Sequence, residues 1–532
     1  MFNRSTIMTD SCKILVLLGL LVSSLAGAAE VAGPWMGIYQ AAQTASNLET
    51  PEPVVAPAAI FAKASAKAST AAATPVLLTF QKVQALSQMT IFLGRIAARS
   101  TLGKVILPDG TPITEDYADT APVNDAWLYR VTYRSVDTKG APTILSGLVV
   151  LPAFNGRLID ANDGLVVYMH STTAQRSNAA GDRSVEAYGA ITAFGGEKWV
   201  LAMPDYLGYG ANNQPHPYAL GKLNAQSGIS MILAARELVD YLGKAMGSQI
   251  NITGYSEGGG NALWLGRALQ ERYPTDSSMK PTRIAPMSGP YDLSRATANS
   301  FIAAQPSMSA SLENFSVKPT LLAFAGVAVA DVTGQPLWSL LQTPLADQTD
   351  GIFPGPYADD DVGARVLTTA LNDLPYMPGF GSPHPEKLLQ PQLVKAIASH
   401  DTGNPAMKLW AQNDNVSWTP TAPVYLLGVI QDALVPFAAS TYVLPAAYVG
   451  EGGLKAPYSQ GNAQSVIKAM RARKIGASKV GWLGFDGLVQ IPGGEPTTTM
   501  SHSAGFEPCV EMAAAFFRGK TLSELPRLAD PK

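Results

Sequence analysis

The stretch "NITGYSEGGGNALWLG", residues 251 to 266, runs from an apolar extended approach, through a serine set between glycines, into a helix-like segment. Gly254, Ser256 and Gly258 have the spacing needed where a strand turns at once into a helix. Such a turn strains the serine backbone and brings strand and helix too close together for side chains, so glycine is needed on both sides. The helix that follows points its positive end at the turn, and the N–H of Glu257 would face the oxygen of a bound carbonyl. Ser256 is therefore a candidate nucleophile. A serine hydroxyl is a weak nucleophile unless a base takes its proton and an acid holds that base in the right tautomer.

The chain has five histidines, so the search for the base is short. His502, in "TTTMSHSAGFEPCVEMAAAFF", lies in a loop after the last predicted strand and before a C-terminal helix, where a base on the carboxyl edge of a sheet belongs. His170 ends an earlier strand, while His216, His384 and His400 lie in "QPHPYAL", "GSPHPEK" and "IASHDTG", away from any strand end. The acid should follow a strand between nucleophile and base, and "VYLLGVIQDALVP" supplies Asp432 there. Asp486, in "LGFDG" after the next strand, competes with it, whereas Asp205 in "PDYLGYG" belongs to an earlier structural turn. The order serine, aspartate, histidine separates this arrangement from the chymotrypsin and subtilisin orders.

The second donor to a carbonyl oxygen is expected in the loop "YMHSTTAQ", residues 168 to 175, from the backbone N–H of Ser171 or Thr172, with His170 steering that loop. Tyr255, His170 and Tyr206 are the candidate substrate-binding residues beside it.

The wider pattern agrees with such a site. "AWLYRVTYRSVD" (126 to 137) and "TILSGLVVLPA" (143 to 153) flank the turn signal "TKGAP" and predict a β-hairpin. Beyond them, apolar runs at 164 to 170, 198 to 210, 249 to 255 and 283 to 294 alternate with helical stretches. Near-continuous apolar strands interleaved with helices predict an α/β fold with a mostly parallel sheet covered on both faces. Between residues 291 and 420 the alternation gives way to a helical, proline-rich region, read as a cap inserted late in the sheet, and strands return at 422 to 436 and 478 to 485. The core is thus expected in two parts, 101 to 290 and 421 to 532.

Ahead of it, Arg4 and Lys13 precede the apolar run at 14 to 29, which ends in Ala26-Gly27-Ala28. This is the form of a signal peptide over residues 1 to 28, too short for a spanning helix, and it predicts export to the periplasm or beyond without stable transmembrane anchoring. Cys12 would leave with it, so Cys509 has no disulfide partner. Residues 29 to 100 read as an Ala/Pro-rich extension carrying one helix over 80 to 100.

With 47% hydrophobic and 15% charged residues among 532, the chain can bury a large core, and a net charge of −3 offers no basic field for nucleic acid. The acidic run in "YADDDVG" lacks the spacing of a calcium loop and reads as a solvated turn, and no zinc or dinucleotide-binding pattern occurs, so neither metal nor cofactor is expected.

"YMHSTT", "MPDYLGYG", "GYSEGG", "GVIQDALVP" and "SHSAGF", following "YRSVDTKGAPTILSGLVVLP", resemble the secreted α/β-hydrolases of the secretory lipase family over roughly residues 120 to 520. The resemblance implies an α/β-hydrolase fold with a helical cap between the sixth and seventh sheet strands. It also implies Ser256 as nucleophile, Asp432 as acid and His502 as base, acting on a small ester or lipid. Ser171 stands where a glycine often follows the histidine in that family. A peptidase or acyltransferase would use the same three residues, and a non-catalytic binding protein would have lost one of them.

Overall fold

The computed structural model describes residues 75–102, 104–113, 117, 124–303, 317–349, 351–376, 383–430, 432, 434–438, 461–488 and 497–531. The segment read as a signal peptide and the tract at 29 to 74 lie outside them.

The helix expected over 80 to 100 is divided. Leu77–Leu86 forms strand β1, and helix α1 occupies Gln88–Leu102. "FQKVQAL" alternates as a strand can, and it has an antiparallel partner in the segment around residues 126 to 133. The Ser87 hydroxyl accepts from the Thr90 N–H at 3.2 Å and caps the helix at its first turn. Residues 77 to 102 thus belong to the core and not to the extension.

The chain continues through β2 (Val105–Ile106), β3 (Asp125–Val136), β4 (Pro142–Phe154), β5 (Arg157–Leu158), β6 (Gly164–Met169), α2 (Val185–Phe194), β7 (Trp199–Pro204) and α3 (Gly221–Tyr241). Strand β8 (Ile250–Tyr255), α4 (Glu257–Arg272) and β9 (Arg283–Met287) follow. Between β9 and β10 (Val424–Val429) the principal elements are helices: α5 (Ala298–Ile302), α6 (Lys318–Thr333), α7 (Thr343–Thr349), α8 (Asp359–Asn372), α9 (Pro391–Ser399) and α10 (Pro405–Gln412). The chain closes with α11 (Asn462–Ala472), β11 (Val480–Phe485), β12 (Gly487–Leu488), β13 (Thr497–Thr499) and α12 (Phe506–Phe517).

The main sheet is mixed, in the order β1-β3-β4-β7-β6-β8-β9-β10-β11 with β5 on the side of β4, while β13-β12-β2 form a small second sheet. Strands from β7 through β11 run parallel, and the β3–β4 hairpin and β1 are antiparallel. Every residue of β6, β7, β8 and β10 is buried. This is the signature of strands covered on both faces.

Side chains divide between the faces with period two. In β10, Val424 and Leu426 join the core beneath α3, α4 and α11, whereas Tyr425, Leu427 and Val429 join the core beneath α1, α2 and α12. The helical segment after β9 packs into the first of these cores through Leu322, Phe324, Leu345, Val366 and Trp410. Among the described residues no helix is long and apolar enough to cross a membrane.

At the joint between sheet and helical insertion, Asp292 follows β9 and Asp414 precedes β10. Asp414 accepts from the Ser294 N–H at 2.8 Å and the Ser294 hydroxyl at 2.6 Å. Burial, reinforced by the charge of Asp292, pushes the Asp414 carboxyl up to about 7, and burial raises Asp292 as well. The folded chain therefore holds a proton on Asp414 that the unfolded chain releases above about pH 4, so stability falls as pH rises from about 4 to about 7. Asp414→Asn, a neutral near-isostere, should melt higher than the wild type at pH 8 and equally at pH 4. Equal melting temperatures at both pH values would remove Asp414 as the source.

Candidate active site

Ser256 joins β8 to α4 with φ 55° and ψ −122°, a strained conformation for a residue with a Cβ. It is held there from both sides. Its N–H donates to Met287 O at 2.9 Å, at the end of the neighbouring β9, and its carbonyl accepts from Gly259 N at 2.9 Å.

The flanking glycines are steric requirements. A Cβ on Gly254 would lie 2.4 Å from both Met169 O and Gly258 O, and one on Gly258 would lie 2.0 Å from Met169 O and 2.6 Å from His170 O. The first turn of α4 thus rests on the carbonyls that end β6. The N–H of Glu257 lies in this first turn, where no intrahelical acceptor exists.

His502 Nε2 lies 2.8 Å from Ser256 Oγ, and its Nδ1 lies 2.5 Å from Asp432 Oδ2. Asp432 is almost fully buried, and its other oxygen accepts from Leu434 N at 2.9 Å and Val435 N at 2.8 Å. The carboxylate is therefore fixed by backbone before it meets the imidazole. The Tyr255 hydroxyl donates to His502 O and ties the histidine loop to the residue before the nucleophile.

Asp486 lies between β11 and β12, its N–H donating to Ile106 O at 3.0 Å, whereas the carboxylate at His502 Nδ1 is that of Asp432. The other histidines serve elsewhere: His216 on Glu257, His384 on Glu386, His400 at the end of α9 facing Arg295, and His170 on Asp205 O. Lys318, at the start of α6, is fully buried, donates to Ser300 O at 2.7 Å and is pushed down to about 7 by burial, with the Asp432 charge opposing.

The loop after β6 departs from expectation at Ser171. Its N–H donates to Glu186 Oε1 at 2.9 Å and its hydroxyl to Glu186 Oε2 at 2.5 Å, so Ser171 faces α2 and cannot offer its N–H to a bound carbonyl. The cause is the buried Glu186 carboxyl, which burial raises and which draws in the donors of Ser171 and Tyr168. Thr172 is the remaining candidate from this loop. Its hydroxyl donates to the Tyr218 oxygen at 3.2 Å.

Tyr255, His170 and Tyr206 also correct the sequence reading: all three are buried and form the floor under the site instead of lining it. His170 stacks on Tyr206 with ring centroids 4.0 Å apart, and the Tyr206 hydroxyl donates to His170 O at 2.9 Å. Asp205 lies beneath them on Ser146 Oγ at 2.6 Å and Gly181 N at 2.6 Å.

Three carboxylates around the site escaped the sequence reading of side-chain roles. Glu257, considered only for its N–H, is buried with Oε1 2.6 Å from His216 Nε2 and 3.1 Å from Ala219 N. The His216 Nδ1–H donates to Leu207 O at 2.9 Å, so the pair clamps the start of α4 to the loop after β7. Glu186 holds Ser171. Asp359, expected in a solvated turn, instead begins α8 and accepts from Thr173, Ala174, Gln175 and Asn178. The only signal in the sequence was an acidic residue at a helix start, which does not say what it reaches.

No family model and no curated protein matches the chain. Among solved structures, a hydrolase of Legionella pneumophila is 21% identical with a TM-score of 0.61, over 83% of this chain and 97% of that one. A ligand-bound form of the rice cell wall degrading esterase LipA from Xanthomonas oryzae is 21% identical with a TM-score of 0.60, over 84% of this chain and 98% of that one. A further LipA structure is 22% identical with a TM-score of 0.57, over 77% and 90%. The sheet order, the elbow and these likenesses establish the α/β-hydrolase fold.

The contact of α4 with β6 makes a quantitative test. Gly258→Ala forces a methyl group onto two backbone carbonyls and should cost about 3 kcal/mol in urea unfolding. Gly363→Ala, in α8 with no atom nearer than 3.9 Å to the new Cβ, should be neutral or slightly stabilising. Equal effects of the two substitutions would contradict the close approach.

Proposed function

We propose that the chain is a serine hydrolase of carboxylic esters, acting through an acyl-enzyme on Ser256. The observation that carries the reading is the continuous relay from Ser256 Oγ to His502 Nε2 at 2.8 Å and from His502 Nδ1 to Asp432 at 2.5 Å, at a backbone-strained serine.

In this reading His502 takes the Ser256 proton as Oγ attacks the ester carbonyl, and Asp432 stabilises the imidazolium that forms. The negative oxygen of the tetrahedral intermediate is met by the N–H groups of Glu257 and Thr172, and the positive end of α4 adds to that field. The imidazolium then protonates the departing alcohol, leaving the acyl group on Ser256. Water deprotonated by His502 attacks the acyl carbon, and collapse returns the proton to Ser256 and releases the carboxylic acid.

A serine nucleophile with a histidine base needs no cofactor for this sequence of steps. The esterase named among the structural likenesses supports an ester as the substrate class, and the apolar N-terminal leader supports action outside the cytoplasm.

The test is labelling with a fluorophosphonate probe together with turnover of p-nitrophenyl esters from two to sixteen carbons. Ser256→Ala should abolish labelling and, with His502→Ala, should lower kcat by at least about 10⁴-fold while the protein stays folded. Asp432→Asn should lower kcat by roughly 10³ to 10⁴-fold. A folded wild type that neither labels nor turns over any ester would overturn the reading, and the chain-length profile of an active one would separate esterase from lipase.

A further inference from the structure

We infer that Asp359, contributed by the inserted helical region, is a positioning residue that sets the second oxyanion donor. The inference rests on the proposed ester hydrolysis at Ser256 and concerns what holds the Thr172 amide in place.

Asp359 is half-buried at the first turn of α8. Its Oδ2 accepts from Thr173 Oγ1 at 2.7 Å and from Asn178 Nδ2 at 2.8 Å, and its Oδ1 accepts from Gln175 N at 2.9 Å and from Ala174 N. One carboxylate thus gathers two consecutive backbone amides and two side chains of the loop after β6. The two oxygens of the side chain have acceptor sites for all four of these donors.

The segment leading into α8 continues the attachment. Gly355 N donates to Ala174 O at 2.9 Å, Arg176 N donates to Gly355 O at 2.8 Å, and the Arg176 side chain donates to Pro354 O at 2.8 Å and Gly208 O at 3.1 Å. The Tyr209 hydroxyl closes the other side on Thr173 O at 2.5 Å.

The consequence lies at Thr172. On its N-terminal side Ser171 is held by Glu186 from α2, and on its C-terminal side residues 173 to 175 are held by Asp359 from α8. Two carboxylates, one from α2 and one from the insertion, therefore hold the residues on either side of Thr172. That residue carries the amide proposed to meet the oxyanion, and it follows by two positions His170, whose carbonyl the first turn of α4 approaches at Gly258. A donor counts in catalysis only if it is already aimed when charge develops, and displacement by about 1 Å can cost about 100-fold.

The test compares Asp359→Ala, Asp359→Asn and Asp361→Asn, the last an exposed change in the same helical turn. Active sites are counted by fluorophosphonate titration, and kcat, KM and the affinity of a trifluoromethyl ketone are measured for each. Per titrated site, Asp359→Ala should lower kcat about 100-fold with KM within about threefold, and should weaken the ketone by the same factor as kcat/KM. Asn keeps an acceptor for the two amides and should recover part of the loss, to about 10-fold below wild type, while Asp361→Asn should match wild type.

Unchanged kcat per titrated site in Asp359→Ala, a loss confined to KM, or a loss with no weakening of the ketone would overturn the inference while leaving Ser256 as nucleophile. If the alanine variant does not fold, unchanged kcat and ketone affinity in Asp359→Asn overturn it equally. A wild type that does not react with the probe overturns both readings.

Discussion

The structure depends on one close approach: the first turn of α4 lies against the carbonyl ends of β6, with no side chain between them. Gly258 cannot carry a Cβ there, Gly254 cannot carry one near the end of β8, and Ser256 between them takes a positive φ that its own Cβ disfavours. Strain of this kind persists only where the surroundings over-determine it. Here the surroundings are the parallel strands themselves, because Ser256 N donates to Met287 O at the end of β9 while α4 packs on the next strand over. The same approach sets the proposed nucleophile beside the loop that begins at His170.

A turn held open in this way needs polar support below it, and that support is made of buried charge and stacked rings. Glu257 and His216 fasten the start of α4 to the loop after β7, and Tyr206 stacks between His170 and His216. Tyr218 and Phe324 stack at 4.5 Å, and Phe324 meets Phe353 at 4.8 Å, so the column of rings continues from the floor of the site into the inserted helices. Burying Glu257, Glu186 and Asp205 would be costly without donors, and each is given them by backbone N–H groups or neighbouring side chains. The outcome is a rigid floor, which is what a site relying on fixed dipoles requires.

The sequence disclosed the parts whose chemistry is local. An elbow is a matter of glycine spacing, a strand-end aspartate and a loop histidine are matters of position after apolar runs, and the β3–β4 hairpin is announced by its turn. The sequence was silent where the answer depends on which side of the chain a group faces. Ser171 and Thr172 are adjacent, yet one is turned to Glu186 and the other is not. Tyr255 adjoins the nucleophile and still points beneath it, to His502 O. "FQKVQAL" reads as helix in the sequence because alternation over so short a stretch does not outweigh the helix-like run after it, and its pairing partner lies some fifty residues away. Asp359 was the hardest to read, since its partners stand about 185 residues earlier.

That long reach changes what the inserted region is. A cap that only covered a pocket could be varied freely without touching the chemistry below. This one meets the site's supporting structure at three places: Asp359 on the loop after β6, Phe324 against the Tyr218 and His216 rings, and Lys318 near Asp432. Lys318 donates to Ser300 O, and the Ser300 hydroxyl donates to Thr297 O at 2.7 Å, so the Lys318 amine is fixed within the insertion close enough for the Asp432 charge to oppose its downward shift. Moving the insertion as a rigid body would therefore disturb the loop carrying the Thr172 amide and the surroundings of Asp432 together. The alignment of the proposed catalytic groups is thus tied to the insertion, because its helices hold the loop after β6 through Asp359 and bring Lys318 near Asp432.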